Sequence, residues 1–190
     1  KYKEAESNFK KSIELDGNIP EPCNNLGNLY IFLNKYDEGI HYYNKALNIN
    51  PKFFIAHYNL GVALKAIGKI EEAKKHLKES VRINPHFYTG HRNLSIINKY
   101  KKDDGHFKVL KEIFNNSKIN NPGRTELAFA LGKAYEDLND YKNSFAYCDE
   151  GNKLRRKNIN FSVDDTKREF QSIKKCFDKE IFDGNKHKLN

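Results

Sequence analysis

The heptapeptide NNLGNLY at residues 24–30 returns as YNLGVAL at residues 58–64. The second copy places Gly61 34 residues after Gly27. The same step separates further sets of residues: Leu26, Leu60 and Leu94, Gly39 and Ala73, Ala46 and Ser80, and Pro51 and Pro85. A fixed period in this range indicates stacked structural units, each of which buries its apolar face against its neighbours.

The period and its signature positions resemble those of the tetratricopeptide repeat, in which a pair of antiparallel helices recurs every 34 residues. In that family Leu-Gly lies in the first helix, a small residue and an aromatic lie in the second, and Pro ends the repeat. Tyr43 holds the aromatic position, and Leu77 replaces it one repeat later. Cys23, His57 and His91 stand at the family's usual Trp position. The resemblance implies an all-α solenoid, a right-handed superhelix whose first helices line the inner face.

The residues at these positions also have local reasons to be there. Gly27 and Gly61 let the two helices of a pair approach with no side chain between them. Three residues fall between paired helices and tolerate the left-handed conformation that ends a helix: Asn34, Gly68 and Asn139. Pro51 and Pro85 cannot continue a helix, so each second helix is predicted to end before its Pro.

The array is predicted to occupy residues 1–158 and to contribute most of about ten helices. Its units are a partial repeat at 1–19, full repeats at 20–53 and 54–87, a degenerate repeat at 88–124 and a last repeat at 125–158. The degenerate repeat is three residues longer than the period, and the turn KKDDGH at 101–106 is the predicted place for them. The partial first repeat indicates a fragment of a longer protein.

Residues 159–190 follow a different pattern. Ser162 is the predicted N-cap of one amphipathic helix. Its apolar residues recur at helical spacing: Phe170, Ile173, Phe177 and Ile181. A repeat array needs a terminal helix with a polar outer face, so this segment is predicted to be a capping helix, with a tail leading toward a downstream domain.

The charge-rich stretch at 128–156 raises the possibility of an active site, but its pattern argues against one. Glu136 and Asp137 are adjacent on a helix and therefore point roughly 100° apart, unlike a working carboxylate pair. Cys148 falls at the aromatic position of the last repeat and is predicted to be a core residue. His57 and His91 are predicted to pack between helices. We predict no catalytic residue, no cofactor site and no metal site.

The stretch ELAFALGKAYEDLNDYKNSFAYCDEGNKLRR at 126–156 matches more than the repeat requires. It resembles the last repeat of tetratricopeptide-containing sulfotransferases, and HRNLSIINKYKKDD at 91–104 resembles the repeat before it. The resemblance implies a non-catalytic region that precedes a sulfotransferase domain and presents protein substrate to it. In that family a phosphate-cradling loop of the downstream domain binds the sulfonate donor. This chain contains no such Gly-rich loop.

Composition narrows the classes of partner. The net charge is +9, with 15 basic and 10 acidic residues in 1–100 and 19 and 15 in 101–190. This even spread disfavours a nucleic-acid interface, which needs a basic face, although binding of nucleic acid or another polyanion stays the alternative function. No apolar run is long enough to cross a membrane. The spacing of the three cysteines, Cys23, Cys148 and Cys176, favours neither disulfides nor zinc, so a reducing, cytoplasmic location is predicted.

The predicted function is a scaffold that binds a peptide or partner protein, with its own downstream domain as one candidate partner. Asn25, Asn59 and Asn93 recur at 34-residue steps and would form a ladder on the inner face. An amide has both donor and acceptor and can hold the backbone of an extended peptide. The predicted site adds the flanking positions Asn24, Tyr58, Arg92, Asn28, Val62, Ile96, Lys65 and Lys99.

Two alternatives to this peptide site exist, a purely structural role of the ladder and a site for the tail of a chaperone. The ladder could instead make only hydrogen bonds between helices, and this stays open. Chaperone-binding members of the family hold a terminal carboxylate with a clamp of lysines and asparagines, which Asn28 and Asn59 match. Asn24, Thr89 and Asn93 replace the basic residues of that clamp, so binding of a chaperone tail is disfavoured.

Overall fold

The computed structural model describes residues 1–115, 118–157 and 162–176, and the side chain of Cys176 lies outside the description. The chain divides into two compact units, residues 1–154 and 155–190. The described residues form ten α-helices and no strand, which confirms the predicted all-α fold. None of these helices combines the length and apolar character that crossing a membrane would require.

The helices alternate between two roles in the first unit. The first helices of the pairs are α2 (Pro20–Phe32), α4 (Phe54–Ala66), α6 (Tyr88–Ile97) and α8 (Asn121–Asp137). The second helices are α1 (Tyr2–Leu15), α3 (Tyr36–Ile49), α5 (Ile70–Ile83), α7 (Gly105–Phe114) and α9 (Tyr141–Lys157), and the last three residues of α9 belong to the second unit. The second unit contains α10 (Val163–Cys176). Each first helix therefore precedes its partner along the chain, and α1 has the place of a second helix before α2.

The turns within the pairs have the predicted backbone conformation. Asn34, Gly68 and Asn139 have φ angles of 58°, 81° and 59°, in the left-handed region that Asn and Gly tolerate. The ends of the second helices are also as predicted. Asn50 and Asn84 each follow the last helical residue, and their side chains accept hydrogen bonds from the backbone N–H two residues later.

Glycine brings paired helices into contact. A Cβ at Gly27 would lie 2.6 Å from the Tyr43 ring, and one at Gly39 would lie 3.1 Å from the carbonyl oxygen of Gly27. In the last repeat a Cβ at Gly132 would lie 2.5 Å from Cys148 Sγ. The residue at the aromatic position therefore covers the glycine of the first helix, as the repeat pattern predicts.

The signature leucine forms the centre of every repeat. Leu26, Leu60, Leu94 and Leu131 are each at most 1% exposed. The last of these keeps the period once the three extra residues of the degenerate repeat are allowed for. Apolar residues from both helices of each pair surround these leucines and join them into a layered core.

The degenerate repeat differs from the prediction in where its extra residues lie. α6 has 10 residues where α2 and α4 have 13, and the loop after it runs over 98–104 rather than 101–106. Asp104 ends this loop because its side chain accepts hydrogen bonds from the N–H groups of His106 and Phe107 and so caps α7. α8 begins four residues before the predicted repeat start at 125, since Asn120 caps it and a Pro follows at its first turn.

The second unit contains the predicted cap of α10. The N–H of Asp165 donates to Ser162 Oγ at 3.2 Å, which confirms Ser162 as the N-cap residue. The predicted domain boundary at residue 158 lies outside the described residues. Phe177 and Ile181 of the predicted apolar stripe lie outside them as well.

Candidate partner-binding surface

We call the predicted partner-binding residues on α2, α4 and α6, with Lys99 from the loop after α6, the first-helix surface. Four of its members are exposed to solvent: Asn25, Asn28, Ile96 and Lys99. Asn24 is buried, and the others are half-buried: Tyr58, Asn59, Val62, Lys65, Arg92 and Asn93. Hydrogen bonds between successive first helices join many of these side chains.

The first link in this row joins α4 to α2. Asn59 Nδ2 donates to Asn24 Oδ1 at 2.9 Å, and Asn24 Nδ2 lies 3.5 Å from Asn25 Oδ1. The buried Asn24 is therefore satisfied by its neighbours, as a buried amide must be. Within the described parts of the chain, no hydrogen bond reaches Asn59 Oδ1, so this acceptor is left for a ligand or for water.

The second link joins α6 to α4. Asn93 Nδ2 donates to Tyr58 Oη at 3.2 Å and to the carbonyl oxygen of Thr89 at 3.1 Å. Lys65 Nζ donates to Asn93 Oδ1 at 3.2 Å. The Asn93 amide is thus engaged on both sides. Burial raises the pKa of Tyr58, with a smaller contribution from the charge of Glu126, so its hydroxyl stays protonated.

The third link joins α6 to α8 and uses two residues that the sequence prediction missed. Arg92 Nη1 lies 3.3 Å from Glu126 Oε2, and its guanidinium lies 4.7 Å from the centre of the Phe129 ring. Phe129 follows Arg92 by 37 residues, the length of the degenerate repeat. Extending the row through that repeat would have identified Phe129, whereas the sequence carries no signal for Glu126.

Two predicted members contribute to packing. Asn28 Oδ1 accepts a hydrogen bond from the Tyr43 hydroxyl at 2.7 Å, which ties α2 to its own partner helix α3. Val62 packs against a buried cluster formed by Leu77, Val81 and Leu94. These contacts hold both side chains in place, and Asn28 still faces solvent.

The asparagine ladder therefore has two properties at once. Its amides make the cross-repeat hydrogen bonds that the structural alternative predicted, through Asn59 and Asn93. It also leaves polar atoms available at Asn25 and Asn59. Residues already held by their neighbours lose little side-chain entropy when a ligand binds, so the row is preorganised.

The adjacent carboxylates of the last repeat lie in different environments. Asp137 is 7% exposed and accepts hydrogen bonds from Lys133 Nζ at 2.6 Å and from the N–H of Tyr100 at 3.0 Å. Burial alone would raise the pKa of Asp137, but the hydrogen bonds from Lys133 and Tyr100 lower it. Glu136 is exposed. One carboxylate is therefore structural, and the two do not form an acid–base pair.

This difference gives a test with a matched control. Asp137→Ala should lower the free energy of unfolding by about 2 kcal/mol, because it leaves the N–H of Tyr100 without its acceptor and Lys133 without its partner. Glu136→Ala should change it by less than about 0.5 kcal/mol, as is usual for an exposed residue. Denaturant unfolding of the two variants measures both values, and equal values would contradict the structural role of Asp137.

The repeated histidines each form a pair between the helices of one repeat. His57 Nδ1 lies 3.0 Å from His76 Nδ1, and His57 Nε2 lies 3.1 Å from the carbonyl oxygen of Pro51. The bond to the carbonyl places the proton of His57 on Nε2, so Nδ1 accepts from His76. Burial lowers the pKa of His76, with a further contribution from His57.

The second pair is more deeply buried. His91 Nδ1 lies 2.9 Å from His106 Nε2, His91 Nε2 lies 3.0 Å from the carbonyl oxygen of Pro85, and the Tyr100 hydroxyl lies 2.7 Å from His106 Nδ1. Burial lowers the pKa of His91, and burial together with His91 lowers the pKa of His106 to about 3. Both rings are neutral at neutral pH.

Neither the histidines nor the cysteines assemble a reactive site in the part of the chain that the structure describes. No three side chains among its His, Cys, Asp and Glu residues are placed to hold a metal ion. Burial raises the pKa of Cys23 and of Cys148, which disfavours the thiolate form that a nucleophile needs. Cys23 is buried, whereas Cys148, predicted to be a core residue, is half-buried beside Gly132.

Three models of the tetratricopeptide repeat match segments of this chain. Residues 27–68 match a TPR repeat model, and residues 54–87 and 125–158 each match a tetratricopeptide repeat model. No curated protein sequence matches the chain.

Solved structures show the same fold. A crystal structure of MamA aligns with a TM-score of 0.63 at 19% identity, over 84% of this chain and 92% of that one. MamA from Desulfovibrio magneticus RS-1, residues 41 to the end, aligns with a TM-score of 0.60 at 21% identity, over 82% and 86%. BtubC from P. vanneervenii aligns with a TM-score of 0.64 at 15% identity, over 85% and 76%. The chain is a tetratricopeptide-repeat α-solenoid.

Proposed function

We propose that the chain is a protein-interaction scaffold and that its first-helix surface binds an extended peptide segment of a partner protein. One observation carries this proposal. Side chains from four successive first helices form a continuous row, in which each helix is linked to the next by a polar contact of 2.9 to 3.3 Å. A row that runs along the stack matches the length of an extended chain better than the size of a compact small molecule.

The chemistry of the row supports a peptide ligand. Amides at Asn25 and Asn59 offer donors and acceptors for a peptide backbone. Ile96 is 52% exposed and offers apolar contact to a side chain of the partner. Lys99 is 87% exposed and lies 4.0 Å from Asp137, which already holds Lys133, so most of its charge is available to an acidic group.

Selection of peptides from a displayed random library against the full chain tests this proposal. Peptides that bind should lose most of their affinity for the double variant Ile96→Glu, Lys99→Glu, which reverses the charge and removes the apolar contact. The matched control is Ile70→Glu, Lys75→Glu, which alters an exposed Ile and an exposed Lys of the second helix α5. The control should bind the selected peptides as the wild type does.

Two outcomes would contradict the proposal. One is that no library peptide is enriched, and the other is that the selected peptides bind both double variants equally. The salt dependence of binding distinguishes a peptide from a polyanion, because a polyanion whose many phosphates are neutralised by the protein loses affinity steeply as salt rises. A peptide held by amides and one or two charges loses much less.

We also propose that the chain is the interaction region of a tetratricopeptide-containing sulfotransferase. The charged positions of 126–156 support this, since they match the last repeat of that family beyond the repeat signature. The test is the coding sequence beyond Asn190, which should encode a domain with a phosphate-binding loop. An open reading frame that continues into an unrelated domain would end the sulfotransferase proposal and leave the scaffold proposal unchanged.

A further inference from the structure

A cavity of about 440 Å³ opens between α5, α6 and the start of α7. Its lining includes no member of the first-helix surface. It lies where the degenerate repeat departs from the period, since α6 ends early and the long loop 98–104 leads into α7. A Cβ at Gly105, the first residue of α7, would meet no other atom within 4 Å, so this end of α7 leaves space open. The volume is in the range of small-molecule sites.

Three aliphatic side chains give the cavity an apolar floor. Val81 comes from α5, Leu94 from α6 and Val109 from α7. Val81 and Leu94 belong to the buried core, whereas Val109 is 38% exposed. An apolar group that entered the cavity would cover the exposed part of Val109 and extend the core outward.

The buried histidine pair forms a rigid wall of the same cavity. His91 and His106 line it with their rings nearly parallel, at an interplanar angle of 6°. Their contacts with each other, with Pro85 and with Tyr100 place a polar partner beside all four ring nitrogens. Because both rings are neutral, this wall contributes shape and no charge.

The charged residues that line the cavity differ in whether their polar atoms are already used by neighbouring residues. Asp104 accepts hydrogen bonds from Asn98 and from the first turn of α7. Arg82 makes two bonds to Glu79, at 2.6 and 2.7 Å. Lys78 lies one turn before Arg82 on α5, and no carboxylate in the described residues forms an ion pair with it. Asp104 keeps its negative charge, because its donors are neutral groups, but its oxygens are already engaged. Among the described residues, the ammonium group of Lys78 is thus the charged lining group without an ion-pair or hydrogen-bond partner.

We propose that this cavity binds a small amphipathic anion, a compound with a short apolar body and one carboxylate or similar group. The body packs on Val81, Leu94 and Val109 against the histidine wall, and the anionic group pairs with Lys78. An apolar floor with one unpaired ammonium group beside it fixes both the position and the orientation of such a ligand.

Isothermal titration calorimetry of the full chain with octanoate, and separately with octylammonium, tests the proposal. Octanoate should bind, and octylammonium, which has the same body and the opposite charge, should bind at least about tenfold more weakly. Lys78→Gln should weaken octanoate binding by about tenfold, because it removes a charge-assisted hydrogen bond. Lys75→Gln, on the same helix but outside the lining, should leave it unchanged.

A second variant tests the cavity itself. Val109→Trp places a large ring in the cavity and should abolish octanoate binding, while circular dichroism and thermal melting verify that the variant is folded. Absence of heat at millimolar octanoate would overturn the proposal. Equal affinity for the two amphiphiles, or wild-type affinity in Lys78→Gln, would overturn it as well, and neither of those results depends on the folding of the Trp variant.

Discussion

Gly27→Val should lower the free energy of unfolding by about 3 kcal/mol or more. The helices α2 and α3 touch at this residue, where even a Cβ would lie 2.6 Å from the Tyr43 ring and 3.1 Å from the carbonyl oxygen of Gly39. Backbone cannot move aside as a flexible side chain can, so the two helices must separate. The gain in helix propensity on replacing Gly offsets only about 0.5 kcal/mol of this cost.

Denaturant unfolding monitored by circular dichroism measures the effect. Gly17→Val is the matched control, because a Cβ at Gly17 would make an ordinary contact of 3.6 Å with the carbonyl oxygen of Ile13. The control should change the free energy of unfolding by about 1 kcal/mol or less. If both variants unfold at the same denaturant concentration, the close approach of α2 and α3 is not a requirement of the fold.

Stability should fall by about 2 kcal/mol or more between pH 7.5 and pH 5.0 because of the buried pair His91 and His106. Both rings have a lowered pKa in the folded protein, whereas an unfolded His takes up a proton near pH 6.5. Well above pH 6.5 both rings are neutral in the folded and in the unfolded state, so protonation of the unfolded state costs no stability. As the pH falls below 6.5, unfolded His106 gains a proton that the folded ring does not, which costs about 1.4 kcal/mol per pH unit, and the lowered pKa of His91 adds a loss in the same direction.

Chemical denaturation at several pH values measures this slope. The double variant His91→Cys, His106→Leu should lose most of it, and Cys is the residue that the repeat at 20–53 has at the same position. His76 should supply a smaller remaining slope, since burial lowers its pKa too. Asp104 and Asp137 also have lowered pKa values, but their contribution to stability is lost only as the pH falls below about 3.8, outside this range. An unchanged slope between pH 7.5 and 5.0 in the double variant would refute the assignment.

The parts of the fold that could be predicted are those in which the backbone conformation or the packing at a residue follows from the type of that residue. Pro51 cannot continue a helix, Asn34 tolerates a left-handed turn and Gly27 permits a close crossing, so each reports its own environment. Their recurrence at a fixed step then defines the pairing of helices. The handedness of the superhelix depends on small rotations that add up over the whole array, and it stays a prediction.

The parts that could not be predicted depend on partners far apart in the chain. The early end of α6 accompanies the bond between the N–H of Tyr100 and Asp137, 37 residues later. The three extra residues of the degenerate repeat also shifted the register, which hid Phe129 from the predicted row. The 34-residue period was enough to name the individual members of the first-helix surface. Peptide binding by the asparagine ladder depends on a ligand, so it stays a proposal.

The links between successive first helices also bear on how the chain folds. The cross-repeat hydrogen bonds described above join residues 28 to 37 positions apart, and the main contacts of each helix are with helices one or two places away. Loops of this length close at a modest entropic cost, which grows only slowly with loop size. The array has a low contact order, so folding is expected to be fast. A chain emerging from a ribosome can complete each repeat as soon as the next first helix appears, without waiting for the C-terminus.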